Sequence, residues 1–461
     1  MTVAITPELL RRFDVPGPRY TSYPTADRFV EAFGEEQYVL ALQQRKVSAV
    51  GKNTPLSLYA HIPFCESLCY YCACNKIITK HPERAEVYLR YLSREIDLHT
   101  AHCGVGQQVS QLHLGGGTPT FLTDEGLRDL MSMFTRSFTL VPGGEYSIEV
   151  DPRTVDEHRL AVLKELGFNR LSFGVQDFDP DVQKAVHRVQ PADKVFALVE
   201  SARKLGFDSV NVDLIYGLPL QTPESFNRTL EQVVQLRSDR IALYAYAHLP
   251  ERFKAQRRIN IADLPAPAAK VSMLARSIES FIDAGYVYVG MDHFALPDDA
   301  LAVAKRQGRL HRNFQGYSTQ PDCDLIALGV SAIGRVGATY SQNAKVLEDY
   351  YDAINRGRIP IARGLALTRD DLMRRAAIMA LMCQGELLYE PFAQSWLVDV
   401  PQYFAAELER LKDMEQQGLV CLKPEGVQVT PMGWFFVRGV AMVFDRYLQA
   451  DRNRARFSRI I

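Results

Sequence analysis

The sequence predicts an α/β fold: an open, partial (β/α)6 barrel with an N-terminal arm and a smaller, mainly helical, winged-helix-like C-terminal domain. Three observations carry this expectation. From Leu56 onward, six short β-rich runs alternate with amphipathic stretches, the pattern of a parallel sheet with right-handed crossovers. Six such units are too few to close an eight-fold barrel, so the sheet is expected to stay open. Near Arg363 the alternation stops and gives way to helix, helix, hairpin and helix. The expected domains are an arm over 1–50, the main α/β domain over 51–364 and a helical cover domain over 365–461.

The arm contains Pro16-Gly-Pro-Arg-Tyr-Thr-Ser-Tyr-Pro-Thr25, where Pro-Gly-Pro rules out regular structure. Arg19, Tyr20 and Tyr23 give it cationic and aromatic contact groups, suited to packing on the surface or to touching a ligand. The candidate strands are Leu56–Ile62, 111–114, 146–150, 170–173, 209–215 and 240–246. Helical patterns lie near 83–100, 124–138, 155–166, 192–205, 223–236 and 266–284. Thr154-Val-Asp-Glu157 reads as a capping box, and Thr222-Pro-Glu offers an N-cap with proline in the first turn. The apolar run Val287–Gly290 leads into Met291-Asp-His-Phe-Ala295, and 311–317 with the Gly-rich 328–337 closes the region. Thr368-Arg-Asp-Asp371 opens a helix through about Cys383, a second helix lies near 400–417, and 419–422 and 427–430 flank a hairpin turn. Residues 366–461 hold 12 Lys and Arg against 12 Asp and Glu, a balance that argues against DNA binding and for covering the barrel mouth. Arg452, Arg454, Arg456 and Arg459 form a basic tail read as a solvated terminus.

At 461 residues and 47% hydrophobic content the chain has ample material for a buried core. A net charge of −1 provides no field to attract nucleic acid or an anionic membrane. The opening Met1-Thr-Val-Ala-Ile-Thr-Pro-Glu lacks the cationic and apolar regions of a signal peptide, and no apolar run is long enough for a membrane helix. The cytoplasm, a reducing compartment, is the expected location, and a monomer the expected assembly.

The chemistry is concentrated in Cys65-Glu-Ser-Leu-Cys69-Tyr-Tyr-Cys72-Ala-Cys74, which holds half of the eight cysteines. A structural zinc site takes two close pairs from separate places, yet Cys103, Cys323, Cys383 and Cys421 stand alone. A ferredoxin-type cluster needs a distal fourth cysteine before a proline, also missing. A C-x3-C-x2-C loop that holds three irons of a [4Fe–4S] cubane and leaves the fourth open fits best; a zinc knot or disulfide pair is the competing reading.

Gly115-Gly-Gly-Thr-Pro-Thr120 follows the second strand, where glycines let backbone approach a ligand closely. Glu149 ends the third strand, Gln176 follows the fourth, Asp213 lies near the end of the fifth and Ala247 follows the sixth. Polar or small residues thus converge on the carboxyl edge of the sheet, where α/β folds place their sites.

The cysteine spacing and glycine triad resemble the radical S-adenosylmethionine (SAM) superfamily. The fourth cysteine with Asn75-Lys76, the arm motif Arg19-Tyr-Thr-Ser-Tyr-Pro-Thr25, Gly290-Met-Asp-His-Phe-Ala295, 311–317 and Phe457-Ser-Arg narrow the resemblance to oxygen-independent coproporphyrinogen III oxidases (coproporphyrinogen dehydrogenases). Tyr71 stands where phenylalanine is usual, and Ala73 where glycine is. The resemblance implies a [4Fe–4S] cluster held by Cys65, Cys69 and Cys72, with Cys74 a catalytic residue that is not a ligand. It implies two SAM molecules, the first at Tyr59, Gly116, Glu149, Ala247 and Ile333. The second would meet Tyr71, Gly117, Thr118, Gln176, Arg188 and Asp213. The implied reaction decarboxylates two propionates of coproporphyrinogen III to vinyl groups, giving protoporphyrinogen IX in anaerobic haem biosynthesis. It draws on a low-potential electron donor and an electron acceptor that the sequence does not identify. A propionate β-C–H lies beyond any side-chain base, whereas a deoxyadenosyl radical takes the hydrogen atom. Arg19, Lys76 and Arg312 are candidate partners for substrate carboxylates. The alternative is a haem-binding chaperone of the same superfamily without decarboxylase activity. Such relatives lack the Cys74-Asn-Lys extension and the arm motif.

Overall fold

The computed structural model describes residues 12, 13, 15–48, 51 and 53–450. The basic tail with Arg452, Arg454, Arg456 and Arg459, the Phe457-Ser-Arg motif and the first eleven residues lie outside the described residues.

The six expected strands form, at Leu56–Ile62 (β1), Gln107–Gly116 (β2), Phe138–Val150 (β3), Arg170–Gln176 (β4), Ser209–Tyr216 (β5) and Arg240–Ala245 (β6). They pair in parallel in that order within a twelve-stranded sheet. A seventh parallel strand, Leu325–Leu328, pairs with the other side of β1, inside a stretch expected only to close the domain. Antiparallel strands extend both edges: His293–Ala295 and Val287–Gly290 beyond β6, and Ile333–Val336, Thr339–Asn343 and Ile361–Ala366 beyond Leu325–Leu328. Among the described residues no pairing joins these outer edges, so the barrel is open.

Side chains alternate across a strand. Leu58 and Ala60, Leu112 and Leu114, Ile148 and Val150, Leu171 and Phe173, and Val210, Val212 and Leu214 are buried in the main core. The intervening positions turn to the lumen and are mostly polar, including His113, Ser147, Glu149, Ser172, Asn211 and Asp213. A core filled by one parity leaves the other free to carry chemistry.

The helices begin where their caps sit. Thr222 accepts from the Ser225 N–H while the Ser225 hydroxyl accepts from the Thr222 N–H, and Pro223 opens Pro223–Leu236. Thr368 and Asp371 form the same reciprocal pair at Arg369–Gln384. The box expected at Thr154 is not one. Asp156 caps Glu157–Glu165 by accepting from the Arg159 N–H at 2.9 Å. Thr154 instead closes the turn after β3, its hydroxyl donating to the Asp151 carbonyl at 3.0 Å. An aspartate two residues nearer the helix reaches the free N–H groups that Thr154 cannot.

The arm is more than an extended strap, since Glu35–Val47 is helical and packs Tyr38 and Leu42 into the main core. Tyr20 and Tyr23 are buried in a second core shared with the C-terminal module. Tyr20 donates to Asp445 at 3.0 Å, and the Arg438 guanidinium binds the Gly17 and Pro18 carbonyls. The module contains a helix and a strand that periodicity missed: Tyr389–Trp396, and Glu386–Leu388, which pairs with Gly426–Val429 of the hairpin. Three residues are too short to show a period. Tyr317 donates to the Met382 carbonyl at 2.9 Å, and Gln384 to that of Leu310 at 2.8 Å, so the module braces the 310–317 segment.

Candidate active site

Beyond β1 the chain enters the cysteine loop, whose ends are pinned together. Phe64–Cys65 pairs in parallel with Ile77–Ile78, and the Ile77 N–H donates to the Pro63 carbonyl at 2.7 Å. The loop closes one side of a cavity of about 260 Å³ lined by Cys65, Cys69, Cys72 and Cys74. The Thr118 hydroxyl donates to the Cys65 sulfur at 3.3 Å. Arg188 and Arg153 point guanidinium N–H groups at the Cys69 sulfur from 3.5 and 3.6 Å, and both also hold Asp151. Lys76 Nζ donates to the Cys72 and Cys74 carbonyls at 3.0 and 3.4 Å. Hydrogen bonding from Cys74, with Lys76 nearby, lowers the Cys72 thiol below its ordinary value, while burial pushes Cys65 up to about 11. Cations gathered around thiols favour thiolates, the form that binds metal.

The donor set fits an iron–sulfur cluster. A cubane meets each thiolate through a different iron, so its ligands stand further apart than those of one ion. Among the described residues no three His, Cys, Asp or Glu side chains are gathered around a single-ion point. The three sulfurs instead line one wall of a cavity.

The glycine turn forms the floor beside them. Gly116 has φ +115°, and its N–H donates to Glu149 Oε2 at 3.1 Å. A Cβ on Gly117 would lie 2.6 Å from the Pro63 carbonyl oxygen, so no side chain fits there. Gly116, Gly117, Thr118 and Glu149 all line the cavity, as do Tyr71, Gln176, Arg188 and Asp213. Gln176 is held at φ +68° where the β4–β5 register shifts, and its buried Oε1 has no partner. The buried Nε of Arg188 has none either. Left-handed backbone at a non-glycine residue, beside buried polar atoms with bonding capacity to spare, suits the wall of a binding site. Asp213 accepts from Ser172 at 3.1 Å and Asn211 at 2.9 Å; burial, then the neighbouring Glu149, raises it to about 6.

Tyr59 and Ile333 line an adjoining space of about 370 Å³, connected through Glu149 and Tyr244. Ala247 lines neither space. Its carbonyl accepts from Gln256 Nε2 at 3.1 Å, and the same nitrogen donates to the Tyr71 carbonyl at 3.0 Å, tying the strand-six exit to the cysteine loop. Arg19 lies over the Tyr244 ring at 5.0 Å and pairs with Asp292. Arg312 is buried over Tyr317, with Nε and Nη1 unpartnered. Arg19 and Arg312 flank the lumen, while Lys76 lies at the cysteine loop.

Sequence reasoning missed His61, His113, Asp151, Arg153, Tyr244 and Gln256. His61 Nε2 donates to the Asn75 carbonyl at 2.9 Å, leaving Nδ1 to accept from the Tyr59 hydroxyl at 3.0 Å. His113 stacks on Tyr59 with ring centroids 5.9 Å apart. Period two within each strand could have found His61 two residues from Tyr59, His113 between core Leu112 and Leu114, and Tyr244 two residues from lumen-lining Ala242. Asp151, Arg153 and Gln256 sit past strand ends, where no period applies.

Comparison with known proteins agrees with this geometry. Residues 59–233 match the model of the radical SAM superfamily, and residues 367–436 match that of the HemN C-terminal domain. The chain is 49% identical to an oxygen-independent coproporphyrinogen III oxidase of Pseudomonas aeruginosa over 462 residues, covering 100% of this chain and 99% of the relative. It is 48% identical to that of Escherichia coli, covering 98% of each. The solved structure of the Escherichia coli coproporphyrinogen III oxidase, described as a radical SAM enzyme, superposes with a TM-score of 0.90 at 46% identity, covering 97% of this chain and 100% of that one. The chain belongs to the oxygen-independent coproporphyrinogen III oxidases of the radical SAM superfamily.

Proposed function

We propose that this chain oxidatively decarboxylates two propionate side chains of coproporphyrinogen III to vinyl groups, giving protoporphyrinogen IX in anaerobic haem synthesis. The supporting observation is the convergence of Cys65, Cys69 and Cys72 with Glu149, Gln176 and Asp213 on one cavity at the carboxyl end of a parallel sheet. A [4Fe–4S] cluster and SAM, when bound, supply a carbon radical strong enough to take an unactivated hydrogen atom. In this reading Cys65, Cys69 and Cys72 are the metal ligands, and Cys74 stays free at the cavity wall. Glu149, anchored by the Gly116 N–H, offers its remaining lone pairs to an ammonium or to ribose hydroxyls. With Tyr59, Gly116, Ala247 and Ile333 it makes the first SAM subsite. Tyr71, Gly117, Thr118, Gln176, Arg188 and Asp213 make the second. Each propionate loses one hydrogen atom, CO2 and one electron, so two propionates require two rounds. Arg19, Lys76 and Arg312 supply the positive charge that a four-carboxylate substrate needs.

The reading includes a monomer in the cytoplasm, served by a low-potential electron donor and an electron acceptor. It extends to the domain roles: an arm over 1–50, a radical SAM domain over 51–364 and a cover domain over 365–461. Anaerobic incubation with dithionite, SAM and coproporphyrinogen III tests it, with products separated by chromatography. Divinyl product supports the enzyme. SAM cleavage with no vinyl product would sink the decarboxylase and leave the haem-trafficking alternative.

A further inference from the structure

The reaction just proposed needs electrons delivered from outside, and the cysteine loop has an outer side that no role above uses. Tyr70, next to Cys69 in the chain, stacks on His187 with ring centroids 5.1 Å apart and planes 8° from parallel. His187 Nδ1 lies 2.9 Å from the Leu68 carbonyl, so it donates there. The Arg258 guanidinium lies over the Tyr70 ring at 5.4 Å. Beneath them Val182, Val186, Leu218, Tyr246 and Ile259 form a small core of their own, with Tyr70 and Tyr71 packed against it. The segment 251–258 is therefore fastened to the back of the loop, through Gln256 on the Tyr71 carbonyl as well as through Arg258.

That segment reads Glu-Arg-Phe-Lys-Ala-Gln-Arg-Arg, four basic residues against one acidic in a chain of net charge −1. Lys254, Arg257 and Arg258 are exposed, and Arg257 Nε donates to the Pro250 carbonyl at 3.0 Å. Lys184 adds a further cation beside His187, partly offset by Asp181 at 3.2 Å. Exposed apolar side chains lie among these charges: Val189 at 57%, Leu220 at 45% and Ile261 at 68%, with the Leu220 N–H bonded to the Asp263 carbonyl. None of these residues lines the cavity. Apolar side chains set within a predominantly basic stretch are the features of a docking face rather than of a solvated surface.

We propose that this face, centred on Tyr70, His187 and Arg258, docks the electron donor, and that the donor is a small acidic protein carrying a one-electron centre. The inference rests on the cluster reading above. The donor loses one electron and the site gains it, with no bond made or broken and no proton moved. Docking on the outer side of the loop leaves the cavity mouth open for substrate, so reduction and substrate entry do not compete. A positive rim speeds association with an acidic partner by steering, an effect that salt screens.

The test uses the charge-reversal pair Lys254→Glu with Arg257→Glu, residues that touch neither the cavity nor the cysteine ligands. The probe is a reduced plant-type ferredoxin, a one-electron carrier near −400 mV. Bleaching of the oxidised cluster's visible band is followed anaerobically at low ionic strength, with ferredoxin and separately with dithionite. The variant should be reduced roughly tenfold more slowly by ferredoxin and at an unchanged rate by dithionite. The wild-type rate with ferredoxin should fall as salt rises. Fluorescence anisotropy of labelled ferredoxin on the cluster-free chain should show a similar loss of affinity, restored by Lys254→Arg with Arg257→Lys. Equal ferredoxin rates and equal affinities for variant and wild type would overturn the docking face. A wild-type chain that assembles no cluster would overturn the radical reading instead, while anisotropy would still decide docking.

Discussion

Glu95 is fully buried in the helix Glu83–Cys103, where an isolated carboxylate is costly. Its Oε2 accepts from the Gly329 N–H and the Tyr350 hydroxyl, and its Oε1 from Asn343 Nδ2, each at 2.7 Å. It thereby fixes the turn after Leu325–Leu328, from which the chain returns to the cavity at Ile333. Burial outweighs these bonds and pushes Glu95 up to about 7 from the ordinary 4.5. A carboxyl raised on folding stabilises the fold fully below its unfolded value, and that contribution is lost as pH rises through the folded value. At about 1.4 kcal/mol per tenfold step, the stabilisation lost between pH 5 and pH 8 is roughly 2–3 kcal/mol. Glu95→Gln has no charge to bury. At pH 5 it should be less stable than wild type by about 1–2 kcal/mol, because its amide nitrogen faces that of Asn343. At pH 8 the order should reverse. Urea midpoints of both proteins across this range measure the difference, and pH effects shared by the two cancel. A difference that stays constant from pH 5 to pH 8 would refute the account of Glu95 as an acid charged against its surroundings.

The other predictions concern the cavity. Cys65→Ala, Cys69→Ala and Cys72→Ala should each lose the reconstituted cluster and its visible absorption, whereas Cys74→Ala should keep both; iron loss from the Cys74 variant would show it to be a ligand. Asp213→Ala should retain the cluster but lower SAM stoichiometry from two toward one by equilibrium dialysis, and an unchanged stoichiometry would count against the second subsite. Gly117→Ala should force its methyl against the Pro63 and Phe64 backbone, at 2.6–2.9 Å. The expected cost is about 1–3 kcal/mol, with weakened SAM binding and a retained circular dichroism spectrum; wild-type SAM affinity would mean that the turn yields more easily than its contacts indicate.

Local pattern alone determined a good deal of this protein. Alternating parity placed all six barrel strands and sent Glu149 and Asp213 to the lumen, because a parallel sheet covered by helices needs apolar residues on one parity only. The spacing of Cys65, Cys69 and Cys72 and the Gly115-Gly-Gly turn could be read directly, because each occupies a single short segment. The capping pairs at Thr222 and Thr368 were equally local; the box expected at Thr154 gave way to another local device, with Asp156 capping the helix and Thr154 closing the Asp151 turn. What only the tertiary structure decided are pairings across long separations. Leu325–Leu328 joins β1 268 residues away in the chain, Ser57 pairing with Leu325, and the arm's Tyr20 finds Asp445. Gln256 bridges Ala247 to Tyr71, and Arg188 and Arg153 meet at Cys69 from separate loops. A hydrogen bond or ion pair between distant residues leaves no period in either segment. The cysteine motif was legible in the chain, but the cations that tune it and the outer face that could feed it electrons exist only once the barrel has folded.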